Sequence, residues 1–242
     1  MPSFKILGLS PSFCLKWNFA LALFFFSSQK LISFEEPSTK LIANEFRKKK
    51  LLNVTKISSD PYAKRSLKPK ASTDLCGIVY VEGKTKYITK TYKNSEDLDK
   101  DHAYLTHLGK CGTCSSLQDL ASYMTLKDMT TPSRRCAFLS FSEVLGVDCF
   151  LNFGFSLPCA KTWYYNSKNT AKKCLGVCLR SLFKSENYNL SNGKLNPCLE
   201  CDEKISGPIF KEIAGRTRRN SGLVSAIGRS PWEIAKIRHD YY

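Results

Sequence analysis

The sequence predicts a single disulfide-stabilised domain that is mainly α-helical and carries one β-hairpin. Three observations predict this class. Of the 242 residues, 43% are hydrophobic and 12% aromatic, which is enough to form a core. Apolar residues recur at helical spacing through most of the second half of the chain. Ten cysteines, an even number, lie between positions 76 and 201, as is typical of a disulfide framework formed in an oxidising compartment.

The first 34 residues predict secretory targeting. Lys5 and Lys16 precede an apolar run over residues 17–26, and two serines follow it, which is the layout of a signal peptide. Two phenylalanines end the run, where a cleavage site needs small residues, so an uncleaved signal-anchor is one alternative. A buried helix at the start of a cytosolic protein is the other. We expect residues 1–34 to be a signal peptide or signal-anchor of a secreted or ER/Golgi-lumenal protein, with membrane attachment through this segment as an option.

Residues 35–72 are predicted to form a disordered basic stalk or linker. They lack sustained hydrophobic periodicity and carry three prolines, and only a helical turn within residues 41–52 is expected. Between Glu35 and Lys70 ten lysines and arginines face four acidic residues, and the whole chain carries a net charge of +16. This surplus favours an acidic ligand or protein partner, such as an anionic glycan or a lipid headgroup. Nucleic acid is not expected as a partner on a secretory route.

The cysteine-rich domain is expected to span residues 73–242 and to open with the hairpin. Apolar residues alternate over residues 79–81, and Gly83 supplies a turn before the second strand. A helix is predicted over residues 95–108, where Gly109 ends it.

The rest of the domain is predicted to be helical. Spacings of three and four residues place Leu117, Leu120, Ala121 and Met124 on one helical face. Helices are likewise expected over residues 131–145, 158–182 and 207–219 and from Pro231, with a polar loop over residues 184–200.

Cys111 and Cys114 are the residues on which an enzymatic alternative depends. They precede a predicted helix, and its dipole together with Lys110 favours thiolates. A thiol-dependent oxidoreductase, or a transferase or hydrolase with a cysteine nucleophile, is therefore the alternative to a binding role, with His107 as base and Asp119 as a further acid or base. The string CGTCS resembles the papain-like protease signature but departs from it at two positions. The sequence leaves open whether the protein is an enzyme.

Structural disulfides are the favoured interpretation of the cysteines. A zinc site formed by the Cys111/Cys114 and Cys198/Cys201 pairs is the metal alternative, but 83 residues separate the pairs and oxidation competes with metal binding. No metal and no cofactor are predicted. Two cysteines four residues apart on the long helix are expected to bond to two neighbouring elements rather than to each other. The candidates are Cys76, Cys111, Cys114, Cys136, Cys149, Cys159, Cys174, Cys178, Cys198 and Cys201.

An arginine-rich string, AGRTRRNSGL, is the predicted anion-binding site. Arg216, Arg218, Arg219 and Asn220 can bind phosphate, sulfate or carboxylate through bidentate hydrogen bonds. A solvated helix end and a furin-type cleavage site after Arg219 are the alternatives.

Two sequons fit the secretory interpretation. Asn53 is followed by Val-Thr and Asn189 by Leu-Ser, and both are predicted glycosylation sites.

The strings CGTCSSLQDLASYM and LNPCLECDEKISGPIFKEIAGRTRRNSGL resemble an uncharacterised eukaryotic family of secreted or membrane-tethered cysteine-rich proteins. The resemblance spans roughly residues 74–240. It implies one domain and no defined activity. We therefore predict a secretory-pathway domain that binds an acidic ligand or partner through its arginine-rich site.

Overall fold

The computed structural model of the chain describes residues 37–63 and 72–242, so the predicted targeting segment at residues 1–34 lies outside the described residues. The helices of the described part are α1 (Pro37–Arg47), α2 (Ser95–Lys100), α3 (Leu117–Thr125), α4 (Thr130–Ala137), α5 (Glu143–Leu151), α6 (Leu157–Phe183), α7 (Pro197–Ile205) and α8 (Gly207–Ala214). Its strands are β1 (Lys50–Leu51), β2 (Leu75–Val81), β3 (Lys86–Tyr92) and β4 (Tyr104–Leu108). Short 3-10 helices occur at Arg219–Ser221 and Pro231–Glu233.

The expectation of a mainly helical domain is confirmed, since about 47% of the described residues are helical and 12% are in strands. The predicted hairpin accounts for only two of the four strands in the described sheet. The sheet has four strands in the order β1-β3-β2-β4, with β2 antiparallel to both β3 and β4 and β1 parallel to β3.

Strand β4 replaces the second half of a predicted helix. Helix α2 is capped by Asn94, whose Oδ1 accepts a hydrogen bond from the Asp97 amide at 2.9 Å, and it ends at Lys100. His102 then adopts a φ of +49°, which interrupts the helical path. The residues that follow pair with β2, which places Leu108 opposite Leu75.

The expected disordered stalk at residues 35–72 is corrected over its described part. Helix α1 packs against α3 and buries Ala43 and Phe46 completely, with the Phe46 ring 5.4 Å from that of Tyr241. A helix of only three turns needs such an apolar face to be stable. The prediction missed this apolar face because it rested on composition, and the segment is rich in lysine and arginine.

Three predicted helices and one predicted loop needed new boundaries. The helix expected over residues 131–145 is divided into α4 and α5, and Ser142 caps the second. Helix α7 begins inside the expected polar loop, where the Asn196 side chain caps it by accepting from the Leu199 amide at 3.0 Å. Helix α8 ends at Ala214 because Gly215 has a φ of +70°. Near the C-terminus, only the short turn from Pro231 is helical.

Helix α3 lies between two apolar clusters. One cluster joins it to α1 and the sheet through Leu117, Leu120 and Ile78. The other joins its Tyr123 to α6 and α8, where the Trp163 and Phe210 rings are 4.5 Å apart. Because α3 contributes to both clusters, it connects the sheet to the helical half.

The expected disulfide framework is confirmed. All ten candidate cysteines are bonded, as Cys76–Cys111, Cys114–Cys159, Cys136–Cys149, Cys174–Cys201 and Cys178–Cys198. Cys174 and Cys178 both bond to α7, so they tie α6 to one neighbour rather than to two. None of the helices within residues 37–63 and 72–242 has the length and apolar character to cross a membrane.

Candidate ligand-binding cleft

The two cysteines of the enzymatic alternative have separate structural roles. Cys111 is bonded to Cys76 of β2, and Cys114 is bonded to Cys159 of α6. Neither therefore offers a thiolate, and they do not form a dithiol pair. Cys198 and Cys201 are also consumed by disulfides, so the four sulfurs of the zinc alternative are unavailable to a metal in this state.

His107 and Asp119 are buried anchors of the same region. His107 Nε2 lies 2.7 Å from Ser115 Oγ and its Nδ1 lies 2.9 Å from the Leu108 carbonyl oxygen. Burial, reinforced by Arg216, holds the pKa of His107 well below its ordinary value. Asp119 accepts hydrogen bonds from Ser116 Oγ and from the amide and hydroxyl of Ser156. Burial raises the pKa of Asp119 to about 6.

Arg216, the first residue of the predicted anion site, is fully buried. Its Nε donates to the Cys114 carbonyl, and its two terminal nitrogens donate to the Thr106 carbonyl and hydroxyl, the Ser221 hydroxyl and the Ser115 carbonyl. A guanidinium has five N–H donors, and these five contacts occupy them. In this state Arg216 therefore holds the protein together and does not face a ligand.

The other residues of the arginine string have different environments. Arg218 donates to the carbonyls of Tyr123, Leu126 and Val224. Asn220 accepts from the Thr217 amide and donates to the carbonyls of Leu108 and Gly215. The furin-type alternative needs an extended and accessible string, whereas Arg216 is buried and Arg219 begins a 3-10 helix. Cleavage would therefore require local unfolding.

Arg218 and Arg219 also line a cleft of about 310 Å³ that the sequence did not reveal. It lies between α4, α6, α7, α8 and the segment over residues 217–229. Its size is at the lower end of the range for small-molecule sites, about 300–1,000 Å³. Its walls are largely apolar and include Met129, Trp163, Leu175, Leu179, Leu199 and Phe210, with the Cys178–Cys198 disulfide beside them.

The charged residues of the cleft are mostly cationic. Five cations, Arg134, Lys211, Arg218, Arg219 and Arg229, face the two acids Asp202 and Glu203. Three of the cations converge on Glu203, with nitrogen–oxygen distances of 3.4 Å for Lys211, 3.1 Å for Arg219 and 2.7 Å for Arg229. Burial raises the pKa of Glu203, but the three cations outweigh it and lower the pKa overall. Glu203 thus holds three positive groups at the wall, and Arg219 also pairs with Glu233 at 3.3 Å. The three cations still outnumber these two carboxylates.

Asp202 belongs to a polar cluster in an otherwise apolar wall. Its Oδ1 accepts hydrogen bonds from Thr170 Oγ1 and from Asn166 Nδ2, the latter at 3.4 Å. The hydroxyl of Tyr62, which lies in the segment predicted to be a stalk, donates to Asn166 Oδ1 at 2.8 Å. Burial raises the pKa of Asp202. A second polar group, the Ser133 hydroxyl, is buried at the cleft without a hydrogen-bond partner among the described residues.

The two sequon asparagines differ in how their side chains are bound. Asn53 is exposed, and within the described residues its side-chain nitrogen donates to the Thr89 carbonyl at 2.6 Å, while its oxygen accepts from the Thr89 amide at 2.9 Å. Asn189 Nδ2 donates to the carbonyls of both Gly193 and Gly228, at 3.3 and 3.1 Å. Attachment of a glycan leaves one hydrogen on this nitrogen, so the geometry is more compatible with modification of Asn53.

The fold and the cleft define a cysteine-rich, mainly helical domain with an apolar pocket of ligand size. Residues 143–237 match the model of a family described as a family of unknown function, DUF8771. This segment contains α5 to α8 and every cation of the cleft except Arg134. No curated protein and no solved structure matches the chain.

The sequence contained only weak signals for this cleft. Leu175, Leu179 and Leu182 are spaced as one helical face of α6, and all three line the cleft. Cys178 lies on the same face and also lines the cleft, but its spacing was interpreted only as that of a disulfide partner. Arg229 and Glu203 are distant in sequence and meet only because the segment after α8 folds back on α7.

Proposed function

We propose that the protein is a secretory-pathway binding domain whose cleft holds an acidic, largely apolar small molecule. The five disulfides are consistent with an oxidising secretory environment. The observation that carries the proposal is the combination, in one cleft, of apolar walls with five cations against two acids. This revises the predicted site: Arg218 and Arg219 stay in it, and Arg134, Lys211 and Arg229 join it.

The apolar and the cationic side chains of the cleft contribute to binding in different ways. Burial of apolar ligand surface against Trp163, Leu179 and Phe210 supplies affinity. A ligand anion near Lys211 and Arg219 is attracted by cations that Glu203 already holds in place, so little side-chain entropy is lost on binding. These two side chains are 46% and 27% exposed, which leaves them accessible to an anion at the mouth of the cleft.

The test uses 8-anilinonaphthalene-1-sulfonate, a fluorescent probe that joins an apolar ring system to one anion. The full chain, secreted with its disulfides intact, is titrated with the probe. We expect one saturable site and a rise in the melting temperature, because a ligand of the native state stabilises it. A partly unfolded protein would also bind the probe, but the probe would then not raise the melting temperature.

Variants locate the probe. Leu179→Gln places an amide in the apolar wall, and Arg134→Gln removes a cation that forms no ion pair within the described residues. Both are expected to weaken binding several-fold. Arg180→Gln, an exposed change of the same charge outside the cleft, is the control. Equal affinity for all four proteins, or no saturable binding, contradicts the proposal.

A further inference from the structure

A second positively charged surface lies at one end of the sheet, away from the cleft residues. Strand β1 runs parallel to β3, which places Lys50 opposite Lys86. The β2–β3 turn brings Lys84 to the same place, because Lys49 and Lys84 both lie over the Tyr80 ring. We call Lys49, Lys50, Lys84, Tyr80 and Tyr104 the lysine–tyrosine patch.

The patch carries uncompensated charge. Lys48 is paired with Glu45 at 2.6 Å, and Lys86 is paired with Glu82 at 2.6 Å. Within the described residues no carboxylate lies within 4.0 Å of the ammonium groups of Lys49, Lys50 or Lys84. Three lysines therefore carry positive charge without a carboxylate partner, and two of them, Lys49 and Lys84, lie over the tyrosine rings.

The rings of Tyr80 and Tyr104 lie beneath the ammonium groups of Lys49 and Lys84 and contact each other. The Tyr80 and Tyr104 ring centroids are 5.8 Å apart with the ring planes at 63°, and Tyr104 stacks on the buried Tyr241 at 5.2 Å. The Lys49 ammonium is 5.5 Å from the Tyr80 centroid, and that of Lys84 is 5.8 Å from Tyr80 and 5.6 Å from Tyr104. Such cation–π contacts orient the ammonium groups. Tyr104 remains 37% exposed, so part of its ring is available to a partner.

The turn holds Lys84 in an unusual backbone conformation. Glu82 and Lys84 have φ values of +48° and +63°, on either side of Gly83 at +62°. A residue with a Cβ adopts the left-handed conformation only at an energetic cost. This turn conformation places the Lys84 ammonium over the rings of Tyr80 and Tyr104.

We infer that the lysine–tyrosine patch binds a sulfated polysaccharide. Clustered lysines attract the regularly spaced sulfates of such a chain. Tyrosine rings offer apolar faces to the C–H faces of sugars and hydroxyls to their oxygens. Disulfides consistent with a secretory environment favour an extracellular polyanion over nucleic acid.

The test is the affinity of the full secreted chain for a size-defined heparin oligosaccharide. Lys49→Gln/Lys50→Gln/Lys84→Gln is compared with Lys172→Gln/Lys173→Gln/Lys184→Gln, three exposed lysines of α6 and its C-cap that give the same net charge. We expect the patch variant to bind about tenfold more weakly, the sum of three surface ion-pair contributions. The control should stay within about twofold of the wild type, the range of its non-specific charge effect.

Two further measurements separate the sugar from charge alone. Tyr104→Leu keeps the charge and should weaken oligosaccharide binding, with the melting temperature measured to verify folding. The protein should bind phosphatidylserine vesicles more weakly than it binds the oligosaccharide. It should also bind a DNA oligonucleotide more weakly. Equal losses in the patch and control variants, or equal binding of all three polyanions, would overturn the inference. A negative result here leaves the cleft proposal intact, because no patch residue lines the cleft.

Discussion

The guanidinium of Arg216 donates hydrogen bonds to both the carbonyl and the hydroxyl of Thr106, although 110 residues separate them in sequence. The same side chain also reaches the carbonyls of Cys114 and Ser115. One buried cation thus joins β4, the segment at Cys114 and Ser115 that leads into α3, and the segment after α8. Asp119, Tyr241 and Tyr123 supply the favourable electrostatic environment that partly offsets its desolvation.

Arg216→Met is expected to destabilise the protein by about 3–5 kcal/mol, because it leaves buried carbonyl and hydroxyl groups without donors. The measurement is urea unfolding with the disulfides intact. Arg180→Met, on the exposed face of α6, is the control and should change the free energy of unfolding by less than about 0.5 kcal/mol. Similar values for the two variants would show that the buried network contributes little.

Stability is expected to fall as the pH drops from 6.5 to about 4. Burial and Arg216 lower the pKa of His239 from 6.5 to about 4, and the pKa of His107 is also lowered. A group of this kind stabilises fully above its unfolded pKa and loses that contribution as the pH falls through its folded pKa. Asp119 acts in the opposite direction, since its pKa is raised from 3.8 to about 6 and its contribution is lost as the pH rises through that value. Asp202, whose pKa is also raised, acts in the same direction as Asp119. Glu203, Asp74 and Asp101 have lowered pKa values, so they add to the loss caused by the two histidines, and we expect the net loss on the acid side.

His239→Gln removes one of these two titrations and should flatten the decline. Unfolding free energies between pH 6.5 and about 4 provide the measurement. His102→Gln, at an exposed histidine, should leave the slope unchanged. If the slope were unaltered in His239→Gln, the buried imidazole would not be the source of the acid sensitivity.

Gly215→Ala tests the close approach of two loops. Gly215 has a φ of +70°, and an added Cβ would lie 2.6 Å from both the Gly112 nitrogen and the Lys110 carbonyl oxygen. Gly193→Ala is a matched control, because its φ is +78° but no atom lies within 4 Å of the added Cβ. The control should lose about 1–2 kcal/mol from backbone conformation alone. Thermal or urea unfolding should give a clearly greater loss for Gly215→Ala, and equal losses would mean that the loops separate freely.

Removal of single disulfides should separate stability from binding. Cys178→Ser/Cys198→Ser and Cys136→Ser/Cys149→Ser open loops of 20 and 13 residues, so each should lose about 3 kcal/mol of stability. Only the first pair lines the cleft. The affinity for anilinonaphthalene sulfonate, measured well below both melting temperatures, should therefore fall in the first variant alone. A comparable fall in affinity in both variants would mean that the probe binds outside the cleft or that loss of either disulfide loosens the whole domain.

The sequence predicted features that depend on local spacing and composition. The long helix α6 extends over Leu157–Phe183, close to the predicted residues 158–182, because its proline start and periodic apolar face are local signals. The even number of cysteines between positions 76 and 201 indicated the disulfides. Their pairing could not be predicted, because whether Cys114 meets Cys159 or Cys111 depends on how α3 packs against α6.

Features fixed by tertiary packing could not be predicted. Arginine is rarely buried, and nothing near Arg216 in the sequence distinguishes it from Arg218 or Arg219. The position of β4 depended on pairing with β2, since its five residues alone are compatible with a helix. The cleft needed four helices and a returning segment to be placed together.

The bond between Cys76 and Cys111 has a consequence for the order of maturation. Cys76 is the nearest cysteine before Cys111 in the chain, so during synthesis the first partner to become available is the native one. Cys114 must instead await Cys159, and in the meantime Cys136 and Cys149 appear as competitors. Mispaired isomers should therefore accumulate in the helical half of a nascent chain, while the sheet half is already locked.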